Sequence, residues 1–206
     1  MNQITKEILE WIICIIIAIV VALVIKYFVG TPTIVKSVSM KPTLIEGQRL
    51  ILNRLPRTVK QIPQRGDIIT FEQPSKLEAT SVIATYEEEP QGFLGKFAYH
   101  VLEVGKKSYI KRVIALPGEQ VEIKNKKIYI NGEELEENYL QETVETEVQN
   151  EYLQNFIVPE NCIFALGDNR SQSMDCRKFG CIPIEKLESI VWIRFWPFSL
   201  FGKIDK

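Results

Sequence analysis

The sequence has little histidine and no excess of charge of either sign. Its 206 residues contain one histidine, 25 lysines and arginines, and 26 aspartates and glutamates, so the formal net charge is −1. A near-neutral chain without helix-turn-helix or zinc-finger spacing lacks the positive field that nucleic-acid-binding proteins present to phosphates. We therefore expect no nucleic-acid partner.

The shortage of histidine also limits the catalytic chemistry. His100 lies beside Tyr99 in an irregular region, and not in a loop at the end of a strand. A Ser-His-Asp triad would need this residue as its base, whereas a histidine on the surface or in the core is the simpler interpretation. If a serine of this chain is a nucleophile, another side chain must accept its proton.

The four cysteines do not indicate a metal site. Cys14 lies in an apolar run and Cys162 in a β-rich run, while Cys176 and Cys181 are spaced unlike a zinc knuckle. A disulfide between the last two is an alternative to free thiols if the domain lies outside the cell. We expect no metal and no cofactor.

One long apolar run lies near the N-terminus. Residues 8–25 are almost all isoleucine, valine, alanine, leucine and tryptophan, and contain no proline. In a helix, about twenty such residues cross the ~30 Å hydrocarbon core of a bilayer. Trp11 near one end, and Lys26, Tyr27 and Phe28 at the other, suit the membrane interface.

A cleaved signal peptide and a buried core helix are the alternatives for this run. Its uncharged part reaches the upper length of a signal peptide's hydrophobic region, apolar residues continue on both sides, and no A-x-A-like cleavage site follows. We therefore predict a short segment over residues 1–7, a transmembrane helix over 8–29, and a folded domain over 30–206.

The pattern after residue 30 is one of short strands separated by turns. Turn signals stand at 66–67, 117–118, 125–126 and 131–132. The β-rich runs cover 49–53, 67–71, 109–116, 120–124, 127–130, 162–166 and 189–196. The domain is therefore predicted to be mostly β, with less regular insertions at about 72–107 and 133–151. The glutamates of the second insertion most simply form a solvated face.

Lys111 is the candidate base, because it stands inside an apolar β run. Burial lowers the pKa of a lysine from about 10.4 by as much as about 3 to 5 units. The alternative is a snorkelling or salt-bridged lysine on a half-exposed strand. Ser108 and Lys111 fit the S-x-x-K motif of penicillin-binding enzymes by letter. Residues three apart on a strand point to opposite faces, however, and the other motifs of that class are absent.

Four segments together resemble the motif boxes of type I signal peptidases, the bacterial leader peptidases. They are SVSMKPTL at 37–44, RGDIITF at 65–71, YIKRVIALPGE at 109–119 and GDNRSQSMDCRKFG at 167–180. They follow an apolar N-terminal run in the order of that family. The insertion before Lys111 looks longer than in compact members. The resemblance implies a single transmembrane helix followed by a coiled antiparallel β-sheet catalytic domain.

The same resemblance implies roles for individual residues. Ser39 would be the nucleophile and Lys111 its base, in a Ser/Lys dyad that forms an acyl-enzyme. The Ser37 hydroxyl would join the Ser39 backbone N–H in the oxyanion hole, and Ser173 would orient the lysine amine. A charged support shell is implied for Arg112, Asp168, Asp175 and Arg177, and substrate contacts are expected at Met40 and Pro42.

The implied function is that of a membrane-bound serine endopeptidase that removes N-terminal signal peptides after small residues at A-x-A sites. Its partners would be signal peptides, the lipid bilayer and the protein-export machinery, with a single-pass anchor in the cell membrane and an extracytoplasmic catalytic domain. Basic residues are more frequent after the apolar run than before it, so the positive-inside rule favours the opposite orientation. The alternative is a non-catalytic membrane-anchored relative that binds exported or pilin-like proteins. In such a protein we would expect the serine or the lysine to be replaced.

The aromatic tail leaves two interpretations. The run WIRFWPFSLFG contains Trp192, Phe195, Trp196, Phe198 and Phe201. These side chains form either an exposed patch in the lipid headgroups or the last part of the core of the sheet.

Overall fold

A long helix, α1 (Gln3–Val24), stands near the N-terminus and continues into a π-helical turn over Ile25–Val29. The computed structural model describes residues 3–141 and 143–204. Within these ranges, Gln3–Val29 is the one helix long and apolar enough to cross a membrane, and none of the side chains of α1 is buried against the domain. This exposed apolar surface is consistent with the predicted membrane anchor. The helix begins at Gln3, before the predicted start at residue 8.

The domain after α1 consists of two antiparallel sheets. The strands are β1 (Gly30–Ile34), β2 (Arg49–Asn53), β3 (Ile68–Glu72), β4 (Ser108–Ala115), β5 (Gln120–Lys124), β6 (Lys127–Ile130), β7 (Glu133–Glu134), β8 (Asn155–Ile157), β9 (Cys162–Leu166), β10 (Ile182–Pro183) and β11 (Leu187–Trp196). The larger sheet has the order β1-β2-β11-β3-β4-β9-β10, and the smaller one β7-β6-β5-β8. Neighbouring strands in both sheets pair antiparallel, which confirms the predicted fold class.

Three short helices accompany the sheets: α2 (Leu55–Thr58), α3 (Phe93–His100) and α4 (Cys176–Phe179). α3 lies in the first insertion, which the sequence pattern indicated only as irregular. Strand β1 was not predicted, because its sequence GTPTI contains glycine and proline. Proline is tolerated there because β1 lies at the edge of the larger sheet, where one side of the strand has no ladder partner.

The apolar core has two parts. The larger cluster lies between the two sheets and includes Phe71, Val113 and Phe164. The smaller one lies beneath the turn that carries Ser39, and its buried members are Val35, Met40, Leu44, Leu50, Leu52 and Ile68. This second cluster fixes the backbone on which the candidate nucleophile stands.

The aromatic tail lies mostly outside this core. Trp192, Trp196, Phe198 and Phe201 are exposed, and Phe195 is half-buried. Burial of the tail in the core of the sheet is therefore wrong for four of the five residues, and an exposed aromatic patch is what the structure contains.

The cysteines are neither paired nor part of a metal site. Cys14 is exposed on α1, while Cys162, Cys176 and Cys181 are buried, and all four are free thiols. The disulfide between Cys176 and Cys181 that the sequence left open is not formed. In the part of the chain that the structure describes, no cluster of three or more histidine, cysteine, aspartate or glutamate side chains could hold a metal ion.

Candidate active site

Ser39 lies on a short 3₁₀ turn, Val38–Met40, that is held from two directions. Met40 is fully buried in the smaller core cluster. On the other side, the Asn169 backbone N–H donates to the Ser39 carbonyl oxygen at 3.0 Å, and its side-chain amide donates to the Val38 carbonyl at 3.2 Å. Ser39 is only 4% exposed. The hydroxyl is therefore placed by a rigid segment of backbone.

Lys111 lies on β4, opposite Ile69 of β3. Its Nζ is 2.8 Å from the Ser39 Oγ and donates to the Ile110 carbonyl at 3.0 Å. The residue is 3% exposed, so the alternative of a hydrated, snorkelling lysine does not apply. The two side chains that the sequence singled out are thus in direct contact.

Burial lowers the pKa of Lys111 to about 8. The negative charges of Asp175 and Asp168 act in the opposite direction, but they are outweighed by the loss of water around the amine. An amine with a pKa near 8 is neutral in about a tenth of the molecules at pH 7, compared with about one in 3,000 for a lysine at 10.5. Lys111 therefore has the electrostatics of a usable general base.

Ser37 stands two residues before Ser39, in the wall of the same cleft. Its Oγ accepts a hydrogen bond from the Ser39 backbone N–H at 3.2 Å. Because the oxygen is the acceptor here, the hydroxyl hydrogen can donate to a group in the cleft. The two donors expected in the oxyanion hole are therefore neighbours.

Arg112, next to Lys111 on β4, forms a buried bidentate ion pair with Asp168. Its Nε is 3.0 Å from Oδ1 and its Nη2 is 2.9 Å from Oδ2, and both side chains are inaccessible to solvent. The Thr43 hydroxyl donates to the same carboxylate at 2.5 Å, and the Gly66 carbonyl accepts from the Arg112 Nη1 at 3.1 Å. This network joins all four motif segments.

Asp175 and Arg177 form a second buried pair at the start of α4. One carboxylate oxygen of Asp175 accepts from the backbone N–H and Nε of Arg177, at 3.2 and 2.9 Å. The other accepts from the Arg177 Nη2 at 2.9 Å and from the Gly167 N–H at 3.1 Å. The pair therefore fixes the loop that leads from β9 into α4.

Ser173 does not make the hydrogen bond that the resemblance implied. Its Oγ is buried and has no partner among the residues that the structure describes. The side chain packs against Gly167, where an added Cβ would lie 2.6 Å from the Ser173 Cβ and 2.5 Å from the Ser39 carbonyl oxygen. Only glycine permits this close approach. Orientation of Lys111 by Ser173 stays a prediction.

A cleft with a volume of about 630 Å³ opens beside the Ser39 and Lys111 pair. One wall is β1 with the residues that follow it, and another is the Ser108–Ile110 part of β4. Charged side chains from separate segments line the cleft as well, namely Arg54, Glu103, Lys106 and Glu188.

Two predicted substrate contacts are not part of this cleft. Met40 is fully buried in the smaller core cluster, so its side chain anchors the turn from below. Pro42 lies in the walls of two other surface hollows, beside Asp168 in one and beside Tyr139 in the other. The chain turns away from the cleft directly after Ser39, so neither side chain lines it. Substrate contact by Met40 and Pro42 stays a prediction.

Three supporting residues were missed from the sequence. Asn169 clamps the Ser39 turn, Thr43 donates to Asp168, and the Tyr139 ring lies 3.9 Å from the guanidinium carbon of Arg112. Asn169 and Thr43 stand inside the quoted motif segments, so their position was a usable signal. Tyr139 lies in the glutamate-rich insertion, where no motif or periodic pattern points to it.

The fold and this pair together define a class of protein, a membrane-anchored serine endopeptidase. The chain belongs to the signal peptidase family, peptidase S26, whose family model matches residues 8–196.

Two named relatives agree with this membership. Signal peptidase IB of Staphylococcus aureus (strain COL) is 30% identical over 95% of this chain and 93% of its own length. A probable signal peptidase I-1 of Synechocystis is 34% identical over 92% of this chain and 83% of its own length. A solved signal peptidase I from Enterococcus faecalis, 30% identical, covers 63% of this chain and 97% of that chain with a TM-score of 0.41.

Proposed function

We propose that this protein is a membrane-bound signal peptidase that removes N-terminal signal peptides from exported preproteins, with Ser39 as nucleophile and Lys111 as base. The distance of 2.8 Å between the Lys111 Nζ and the Ser39 Oγ, in a cleft and largely out of contact with water, carries this proposal. Membership of the signal peptidase family and the names of the relatives support it.

The reaction starts from neutral Lys111. Its lone pair takes the Ser39 proton as the oxygen attacks the scissile carbonyl, and the ammonium then gives this proton to the leaving amine. The signal peptide is left as an ester on Ser39. Lys111, neutral again, takes a proton from a water molecule that attacks the ester, and returns it to the Ser39 oxygen as the carboxylic product leaves.

The developing oxyanion needs donors that point into the cleft. The Ser39 N–H and the Ser37 hydroxyl would take this role, and their contact at 3.2 Å supports it. A substrate carbonyl oxygen would replace the Ser37 oxygen as the acceptor for the Ser39 N–H. Loss of one such donor typically costs about 2.7 to 4 kcal/mol of transition-state stabilisation.

The edges of two strands offer a binding mode for the signal peptide. β1 is the edge strand of the larger sheet, and β4 pairs with β9 only from Arg112 onward. Both strands line the cleft, so an extended peptide can add its backbone hydrogen bonds to these edges. Residues of the cleft beside Ser39 would then select small side chains such as those of an A-x-A site.

This substrate class decides the orientation of the protein. The segment cut from an exported preprotein emerges on the outer side of the membrane, where the protein-export machinery releases it. We therefore place the catalytic domain on the extracytoplasmic side, although the lysines after the apolar run favour the opposite orientation.

A cleavage assay tests the proposal. The full-length protein in detergent is mixed with a preprotein that carries an A-x-A site, and the products are followed with Ser39→Ala and Lys111→Met beside the native protein. We expect each variant to lose activity by about 10⁴-fold or more. Matched controls are Ser81→Ala and Lys107→Met at exposed positions, which should keep native activity.

Two results would contradict the proposal. Cleavage that persists in Ser39→Ala would exclude this nucleophile. A native protein that binds the signal peptide without cutting it would instead indicate a non-catalytic binding protein.

A further inference from the structure

The first insertion is attached to the end of the membrane helix. The Lys26 Nζ, in the π-helical turn after α1, donates to the Val101 carbonyl at 3.4 Å and pairs with the Glu103 carboxylate at 3.3 Å. Arg54 pairs with the same carboxylate, and its backbone N–H donates to the Val29 carbonyl at 2.9 Å. Because Lys26 marks the level at which hydrocarbon gives way to headgroups, Val101 and Glu103 lie at that level too.

The helix just before this attachment exposes its apolar side chains. Phe93 is 82% exposed and Leu94 78% exposed, and α3 has no buried residue. The rings of Phe93 and Phe97 stack with centroids 6.4 Å apart, so they form one continuous apolar surface. Leu102 and Val104 are exposed as well. We call these five residues the α3 patch.

A second short helix is attached to the same end of α1. The Arg57 side chain of α2 donates to the Tyr27 carbonyl at 2.8 Å and lies 4.5 Å from the centre of the Tyr27 ring. Leu55, Val59 and Ile62, in and after α2, are exposed apolar residues. Exposed apolar side chains of both α2 and the first insertion therefore lie near the end of α1 that joins the folded domain.

We propose that the α3 patch docks into the boundary between headgroups and acyl chains of the bilayer that α1 spans. Contiguous exposed apolar surface of this kind marks an interaction site. Lipid is the occupant, because Val101 and Glu103, which stand between residues of the patch, attach this segment to Lys26 at the end of the membrane helix. An amphipathic segment held in this way lies in the plane of the interface.

Docking of the patch would also fix the position of one wall of the cleft relative to the bilayer. Glu103 and Lys106 follow α3 within a few residues and line the cleft, where Lys106 forms an ion pair with Glu188 at 2.8 Å. An insertion anchored in lipid at one end and by this pair at the other holds the wall at a fixed height above the bilayer.

Spin-label accessibility in lipid nanodiscs tests the proposal on the full-length protein. The exposed thiol is removed by Cys14→Ser, and single labels are introduced by Leu94→Cys or Val104→Cys. The buried thiols do not compete, since burial raises the pKa of Cys176 and Cys181. Lys124→Cys, at the exposed end of β5, is the matched control.

The expected result is a several-fold higher ratio of oxygen to water-soluble nickel-chelate collisions at positions 94 and 104 than at 124. Collision with nickel chelate at 94 and 104 as frequent as at 124 would show that water covers the patch, and would overturn the proposal. Shielding from both oxygen and nickel chelate would also overturn it, because protein, such as a second copy of this chain, would then cover the patch. Two labelled positions protect the result against one variant that fails to fold.

Discussion

At the scale of the residue, Lys111 owes its proposed role to the removal of water. Among the described residues, its amine lies within hydrogen-bond distance of the Ser39 Oγ and the Ile110 carbonyl, and neither is a carboxylate. The charges of Asp168 and Asp175 favour the ammonium form, yet desolvation outweighs them and lowers the pKa to about 8. The same burial that makes the amine a base therefore makes it costly to keep charged.

The pH dependence of cleavage follows from this pKa. The neutral amine is the active form, so kcat/KM should rise about tenfold per pH unit below pH 8 and level off above it. The measurement is a profile between pH 6 and 10 with the preprotein substrate. Lys107→Met should reproduce the native profile, whereas a flat profile of the native protein would contradict a titrating base.

Replacement of Lys111 should change stability in the opposite sense to activity. The pKa of Lys111 is lower in the folded chain than in the unfolded one, so below pH 8 the folded state has to hold a charge that the unfolded state hydrates. Lys111→Met should therefore raise the free energy of unfolding at pH 7 by about 1 to 3 kcal/mol. Between pH 8 and 10.5 the unfolded state binds more protons, so native stability rises and the difference shrinks.

Denaturant unfolding of both proteins at pH 7 and pH 10.5 checks this expectation. An advantage of the methionine variant that is equal at the two pH values would contradict a desolvated amine as its cause. A less stable variant at pH 7 would contradict it as well.

At the scale of the element, the site depends on ion pairs that join separate strands and loops. Arg112 belongs to β4, and Asp168 to the loop after β9 that also carries Asn169. The Arg112–Asp168 pair therefore holds the strand of the base against the loop that clamps the Ser39 turn. Its removal should loosen the contact between Ser39 and Lys111.

Asp168→Ala tests this contribution, because it removes the Asp168 carboxylate from a buried ion pair whose two side chains are inaccessible to solvent. Breaking a buried pair in this way typically costs about 3 to 5 kcal/mol of folding stability. The matched control is Glu134→Ala, which removes the exposed ion pair with Lys127 and should cost far less stability, because water screens exposed charges. Denaturant unfolding measures the loss of stability in both variants. Similar losses would show that the buried pair stabilises the fold no more than the exposed one does.

The sequence predicted elements best where periodicity and burial agree. The predicted bounds of β2, β5, β6 and β9 are confirmed, because each alternates or buries its apolar residues over its whole length. Strand β1 escaped prediction, since it forms a strand only by pairing with β2.

In the candidate site, too, the sequence did not predict features that depend on tertiary packing. The contact between Ser39 and Lys111 follows from motif order and from the apolar neighbours of the lysine. The burial of Met40 depends instead on the direction that the chain takes after Ser39, which no local pattern encodes. The unpartnered hydroxyl of Ser173 likewise depends on how closely Gly167 packs against it.

At the scale of the whole molecule, the membrane helix and the cleft are joined without a linker. The π-helical turn ends at Val29 and β1 begins at Gly30, where the backbone is so close to β2 that an added Cβ would lie 2.6 Å from the Leu52 carbonyl oxygen. Because β1 also forms one wall of the cleft, this direct connection contributes to fixing the height of Ser39 relative to the end of α1.

This direct connection predicts that a flexible linker affects the cleavage of two kinds of substrate differently. A flexible six-residue Gly/Ser insertion between Val29 and Gly30 would let the cleft move relative to the bilayer. Cleavage of a membrane-inserted preprotein should then fall several-fold, because such a linker lowers the effective concentration of the cleft at the membrane surface. Cleavage of a short water-soluble peptide should stay unchanged, since the cleft itself is intact.

The same linker placed after Glu147, in an exposed loop, should affect neither substrate. Equal losses on both substrates would mean that the insertion damages β1, and no loss on either would mean that the height of the cleft above the bilayer does not control access to the preprotein.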